Sequence, residues 1–234
     1  MKETPPLAES PSTYARALVE WGRSNKFAPS ALPNETSQAE VDTLQRELIR
    51  QNEGATPEDR NHMTIAYCPP QYLLHSLYEL RGVSSQDIPL HEEQLFYMDV
   101  SSALSTHTLF TPRIDALAVE SIEILDTERG TAALKLAHSA LSMHWRDHVR
   151  LLLQRNLRVF HGVTESEESA LSDKPKLAWL FNDSVPHITL AHGVSNTDID
   201  PSFIPKSVQF DTLTLGNIPE GPHSINVFKA IADE

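Results

Sequence analysis

The pentapeptide His62-Met63-Thr64-Ile65-Ala66 recurs as His187-Ile188-Thr189-Leu190-Ala191. Both copies read His, apolar, Thr, apolar, Ala. A period of two belongs to a β-strand with one face against a core, because successive side chains of a strand point to opposite sides. His62, Thr64 and Ala66 then share one face, and Met63 and Ile65 the other. His187, Thr189 and Ala191 oppose Ile188 and Leu190 in the same way.

Placed side by side, two such strands converge two imidazoles and two hydroxyls on one pocket. Unperturbed histidine titrates near pH 6.5, so both protonation states are present at neutral pH. One imidazole can take a proton from water while the other gives one to a leaving oxygen, each transfer worth roughly 10²–10⁴-fold in rate. Thr64 and Thr189 can donate to the non-bridging oxygens of a phosphate, where charge builds up. The alanines keep the floor of the face shallow. This chemistry needs no metal and no cofactor.

Other histidines lack the pattern. His107-Thr108 has no apolar residue between its members, and His138-Ser139 has no partner copy. His144 and His148 stand four apart on a helix, a spacing that can hold a metal. They lack the Glu of a His-Glu-x-x-His site and any evident third ligand, so they read as solvent-facing.

Around the two copies, helices and strands interleave without steady βα alternation, which predicts an α+β domain with mainly antiparallel sheet. Helices are expected through Tyr14–Trp21, from a capping box at Ser37-Gln38-Ala39-Glu40 to about residue 52, and over about 140–156. Ala116–Leu125 and Thr131–Ala137 predict a hairpin. Strands are also expected at Pro186–His192, Val208–Leu215 and Ile225–Ile231, the last two split by a turn at 217–222. Pro29–Pro33 reads as a loop, and Glu165-Ser166-Glu167-Glu168 as an acidic loop. Residues 1–11, rich in Pro and Glu, read as a disordered tail. The remainder, 12–234, reads as a single domain with an insertion or lid around 70–112, holding one helix-like piece at Tyr72–Leu80.

Net charge narrows the partners. With 19 Lys and Arg against 32 Asp and Glu, the formal charge is −13. Long duplex nucleic acid is gripped through many basic contacts, so a nucleotide or an RNA end is the expected phosphate substrate. No window is long and apolar enough for a membrane span, and the amino terminus does not read as a secretory signal. Cys68 is the single cysteine, which suits a reducing compartment: the cytosol by default, the nucleus equally. No membrane partner is expected, and a monomer is. Lys174 and Lys176 read as a solvated charge pair. Tyr67 reads as core packing, Cys68 as a buried small residue, and Trp179 is a candidate for stacking on a base.

Asn61-His62-Met63-Thr64-Ile65-Ala66-Tyr67 and Pro186-His187-Ile188-Thr189-Leu190-Ala191 resemble the paired His-x-Thr/Ser-x motifs of the two-histidine (2H) phosphoesterases, the superfamily of RNA 2′,3′-cyclic phosphodiesterases. The resemblance includes the aromatic after the first motif and the proline before the second. The 187 − 62 = 125 residue spacing exceeds that of compact members, and the 70–112 segment would account for the excess. The resemblance implies a duplicated, two-lobed α+β fold whose antiparallel sheets line a central cleft with helices outside. It implies hydrolysis of 2′,3′-cyclic phosphates or 2′–5′ phosphodiester bonds, with His62 and His187 catalytic and Thr64 and Thr189 holding phosphate. His192 stands where many relatives have Arg, and alternation sends it to the face opposite His187. Two alternatives stay open: a nucleotide- or RNA-end-binding module without turnover, and a 2′–5′ RNA ligase-like activity.

Overall fold

The structure is a computed structural model that describes residues 11–24, 29–65, 69–105, 116–138, 140–178, 185–214 and 227–229. Tail residues 1–10, Ala66, Tyr67, Cys68, His107, Trp179 and the 217–222 turn lie outside the described residues, as do the side chains of His144 and His148.

The predicted hairpin is the longest pairing of the sheet. Strands β4 (Ala116–Asp126) and β5 (Thr131–Leu136) run antiparallel from Asp126↔Thr131 to Val119↔Leu136. Gly130 lets the turn close, with φ at 59°. A Cβ there would lie 2.7 Å from the Val194 carbonyl oxygen, so only glycine suits both the backbone angle and the close approach. Six further strands complete the sheet: β1 (Ser30–Pro33), β2 (Thr56–Pro57), β3 (Met63–Thr64), β6 (His187–His192), β7 (Ser207–Thr214) and β8 (Val227–Lys229). All pairings are antiparallel. The order β1-β3-β6-β5-β4-β7 closes on itself because β7 also pairs β1, giving a barrel of six strands, with β2 beside β6 and β8 beside β7. The α+β, antiparallel expectation therefore holds.

β1 occupies the stretch expected to be a loop. Its four residues are too few to show a period, and prolines at 29 and 33 conceal it. Pro33 has no N–H to give, and the register with β7 shifts there, between Leu32 and Pro33; the ladder resumes with Asn34 N–H donating to the Gln209 carbonyl.

The helices are α1 (Pro11–Arg23), α2 (Glu35–Gln51), α3 (Pro70–Leu80), α4 (Leu90–Ser105), α5 (Ala140–His161) and α6 (Glu165–Ser172). α2 starts earlier than the Ser37 signal implied: Asn34 is its cap, accepting from the Ser37 N–H. The buried Ser37 hydroxyl instead accepts from the Gln209 N–H of β7 at 2.9 Å. The acidic stretch after α5 is a helix, not a loop. Thr164 and Glu167 form a reciprocal capping box at its start, and the Thr-x-x-Glu spacing was legible for it. The described part of the 70–112 segment is two packed helices. Leu73, Leu74 and Leu77 of α3 and Phe96, Tyr97 and Val100 of α4 are buried in the main core. α4 also meets α1, where a Cβ on Gly22 would lie 2.5 Å from the Tyr97 ring and Arg23 grips Glu93 through two nitrogens. Among the described residues no helix is long and apolar enough to cross a membrane.

Candidate functional site

β3 and β6 are neighbours, and Met63 stands opposite Ile188. That register places the two motifs in one frame. Leu213, Ala31, Met63, Ile188, Leu134 and Ile122 form a cross-strand row over β7, β1, β3, β6, β5 and β4. The first five are buried, and Ile122 packs against the same core. Val41, Leu44 and Leu48 of α2 belong to that core too. Burying a Met or Ile side chain contributes about 1.5–3 kcal/mol each, so this row holds the register.

Side chains one residue to either side of the row point the other way. Continuing the antiparallel Met63–Ile188 register sets Thr64 opposite His187 and His62 opposite Thr189. Each histidine therefore faces the other copy's threonine. The two histidines are diagonal neighbours, about 7 Å apart at Cβ for such positions. His62, Thr64, His187 and Thr189 are all half-buried, while Ile65, Leu190 and Ala191 are buried. The four side chains singled out by the sequence are brought together on one face.

The imidazoles are held alike. His62 Nδ1 lies 2.7 Å from the Arg60 carbonyl oxygen and His187 Nδ1 lies 2.9 Å from that of Val185. Each contact joins a histidine to the carbonyl two residues before it. A carbonyl oxygen only accepts, so each Nδ1 is the protonated nitrogen. In the neutral ring the lone pair then sits on Nε2. The two histidines are thus fixed in the same tautomer by the same local device.

Side chains that the motifs do not advertise steady the pair from behind. Asn61, buried beside His62, donates from Nδ2 to Asp42 Oδ1 at 2.8 Å. Gln45 of α2 donates to the carbonyls of Leu190 at 2.7 Å and Glu58 at 3.0 Å, and lies 3.3 Å from Asn61 Oδ1. One amide thus ties the end of β6 to the approach to β3. Nothing local marks these residues, since their partners lie as far as 145 positions away. Asn52, at the end of α2, accepts from the N–H groups of Ser195 and Asn196 just beyond β6.

His192 departs from the expected alternation. The β5–β6 register shifts between Ala132 and Ala133, which returns His192 to the face of Thr131, Ala133 and Lys135, with Nδ1 3.2 Å from Thr131 Oγ1 and Nε2 3.1 Å from Glu58 Oε2. Lys174 pairs with Glu79 at 4.0 Å, and the Lys176 ammonium lies 5.1 Å from the Tyr72 ring centroid. Both lysines are directed at α3. Among the described residues no group of three His, Cys, Asp or Glu is placed to hold a metal ion.

No protein-family model matches the chain, and no curated protein matches it. Among solved structures it is similar to the crystal structure of TT0787 from Thermus thermophilus. The two share 16% identity at a TM-score of 0.46, over 80% of this chain and 85% of that one. No family follows from that likeness.

Proposed function

We propose that this chain is a metal-independent phosphodiesterase of the two-histidine kind, cutting 2′,3′-cyclic phosphate or 2′–5′ phosphodiester bonds in nucleotides or RNA ends. One observation carries the reading: the Met63–Ile188 pairing, which sets each motif histidine across from the other motif's threonine. A core histidine needs one partner, and a binding pocket needs donors. Two imidazoles of the same tautomer, each beside a hydroxyl, supply what an in-line displacement at phosphorus consumes.

In the reaction, Nε2 of one neutral imidazole accepts a proton from water as the water oxygen attacks phosphorus. The other ring, as imidazolium, gives its Nε2 proton to the 2′ or 3′ oxygen as that P–O bond breaks. The carbonyls of Arg60 and Val185 hold Nδ1–H in both protonation states, so neither ring must turn. Thr64 and Thr189 donate to the non-bridging oxygens, where hydrogen bonds to charge are worth about 1.5–3 kcal/mol each. Exchange with solvent restores the starting protonation.

The matching strands and matching carbonyl contacts also support a duplicated architecture of two lobes about a cleft. The acidic balance favours a small substrate over a long duplex. The enzyme acts as a monomer in the cytosol or nucleus.

The test is hydrolysis of 2′,3′-cyclic nucleotides in EDTA by the wild type, His62→Ala and His187→Ala. Turnover that resists EDTA and falls by about 10²–10⁴-fold in each folded variant supports the mechanism. A wild type inert toward cyclic nucleotides, 2′–5′ linked oligonucleotides and RNA ends, yet binding them, would leave a binding module in its place.

A further inference from the structure

Lys135 stands in the same cross-strand row as His187. In β5 it is opposite His187 on one side and opposite Ser121 of β4 on the other. Directly opposed residues of an antiparallel pair have Cβ atoms about 4.5–5.5 Å apart. The lysine stem therefore rises beside the imidazole, on the face that carries both histidines and both threonines. With Thr64, Ser30 and Thr214 on the far side of His187, the row reads Thr214, Ser30, Thr64, His187, Lys135, Ser121: a polar band across six strands.

Two carboxylates hold the ammonium. Lys135 Nζ lies 3.3 Å from Glu123 Oε1 and 3.7 Å from Glu120 Oε2. Glu123 shares the lysine's face by register, through Ala133. Glu120 would face away under strict alternation. The β4–β5 register shifts between Val119 and Ser121, and such an irregularity re-aims a side chain. Ser121 Oγ adds a bond to Glu123 Oε1 at 2.8 Å. The lysine side chain is only 29% exposed, so its position is set by these partners rather than by solvent.

We propose that Lys135 is the cation that contacts the substrate phosphate, with Glu120 and Glu123 holding it beside His187; this rests on the phosphodiesterase reading. A chain of net charge −13 repels a phosphate, and the threonine hydroxyls bring no charge to offset that. Lys174 and Lys176 are directed at Glu79 and Tyr72 of α3 rather than at the polar band. An ammonium carries three donors, so Lys135 can keep a carboxylate and still give a hydrogen bond to a phosphate oxygen. Beside His187 it contacts the non-bridging oxygens rather than the water or the leaving group, so its charge acts on the bound ester and on the charge that builds up there in the reaction.

The experiment compares wild type, Lys135→Met and Lys135→Arg in two assays. The first measures kcat and KM for adenosine 2′,3′-cyclic phosphate in EDTA. The second measures Kd for adenosine 2′-monophosphate and for uncharged adenosine by NMR titration, with thermal melts confirming that each variant is folded. Lys135→Met is expected to raise KM and the monophosphate Kd by about 10-fold or more, as loss of a charged hydrogen bond does. The adenosine Kd stays within about threefold, any fall in kcat adds to the loss in kcat/KM, and Lys135→Arg recovers most of that loss because the charge returns. Wild-type turnover with KM and Kd unmoved in Lys135→Met would overturn the lysine's role and leave the phosphodiesterase standing. A wild type inert toward the cyclic ester, 2′–5′ linked oligonucleotides and RNA ends, whose monophosphate binding still weakens in Lys135→Met, would do the reverse. A wild type that turns over none of these substrates and does not bind the monophosphate overturns both.

Discussion

Met63 and Ile188 stand opposite one another in antiparallel β3 and β6, both buried, and everything on the far side of those strands takes its place from that pairing. A slip of one residue would turn the histidines into the core and the apolar side chains out. Ile188→Ala leaves a cavity in the middle of the row and is expected to cost about 2–5 kcal/mol, whereas Ile188→Val costs about 0.5–1.5. Urea denaturation of the two variants checks the difference; equal losses would mean that the row does not hold the register.

Thr64→Val and Thr189→Val keep the β-branched shape and remove one hydroxyl each. Because each hydroxyl faces the opposite histidine, the two losses are expected to be alike, about 10- to 100-fold in kcat/KM for a cyclic nucleotide. Melting temperatures should barely change, since both side chains are only half-buried. A valine variant with full activity would remove that threonine from the phosphate site.

Asn61 links His62 to α2 through Asp42 and Gln45. Asn61→Ala leaves Asp42 and Gln45 without that partner, at an expected cost of about 1–3 kcal/mol. It also frees the approach to β3, so kcat should fall while KM stays near wild type. The Arg60–His62 contact should loosen with it, which would move the His62 ring resonances in NMR spectra of the folded variant. Unchanged resonances and kcat would reduce Asn61 to a core residue.

Glu167 governs a pH dependence far from the site. Hydrogen bonds from Arg81 first, then from the Thr164 backbone, lower its pKa from 4.5 to about 2. A folded-state pKa below the unfolded one adds stability that is present above the unfolded value and lost as pH falls from about 5 to about 2. Glu167→Gln should flatten that part of the acid-stability curve. The Arg81 pair lies near the surface and is worth at most about 1 kcal/mol. Thr164→Ala, which removes the cap, should cost about 1 kcal/mol at neutral pH. Chemical denaturation at several pH values measures both.

Two things were legible in the chain alone. The alternation in 62–65 and 187–190 names which side chains enter the core and which do not, because the faces of a strand follow from covalent geometry. Ala191, expected on the histidine face, is buried opposite Ala132 where the β5–β6 register shifts. The β4–β5 hairpin and helices α1, α2 and α5 announce themselves by local period and turn residues in the same way, whereas α4 (Leu90–Ser105) was not legible within the 70–112 segment. The resemblance to two-histidine phosphoesterases drew on those same residues. What the chain did not disclose is long-range. β1 is too short and proline-flanked to show a period, and it counts as a strand only because β3 and β7 lie on either side of it. Gln45, Asn61 and Lys135 carry no motif, since a side chain that ties together distant segments leaves no local pattern. Residue order and covalent geometry were enough to assign the faces of the two motif strands as far as Ile65 and Leu190, while the register shift beyond Leu190 was not legible. That these strands are neighbours, in which register, and that Lys135 stands beside His187 emerged with the folded sheet, because hydrogen-bond ladders and core packing join residues more than a hundred positions apart.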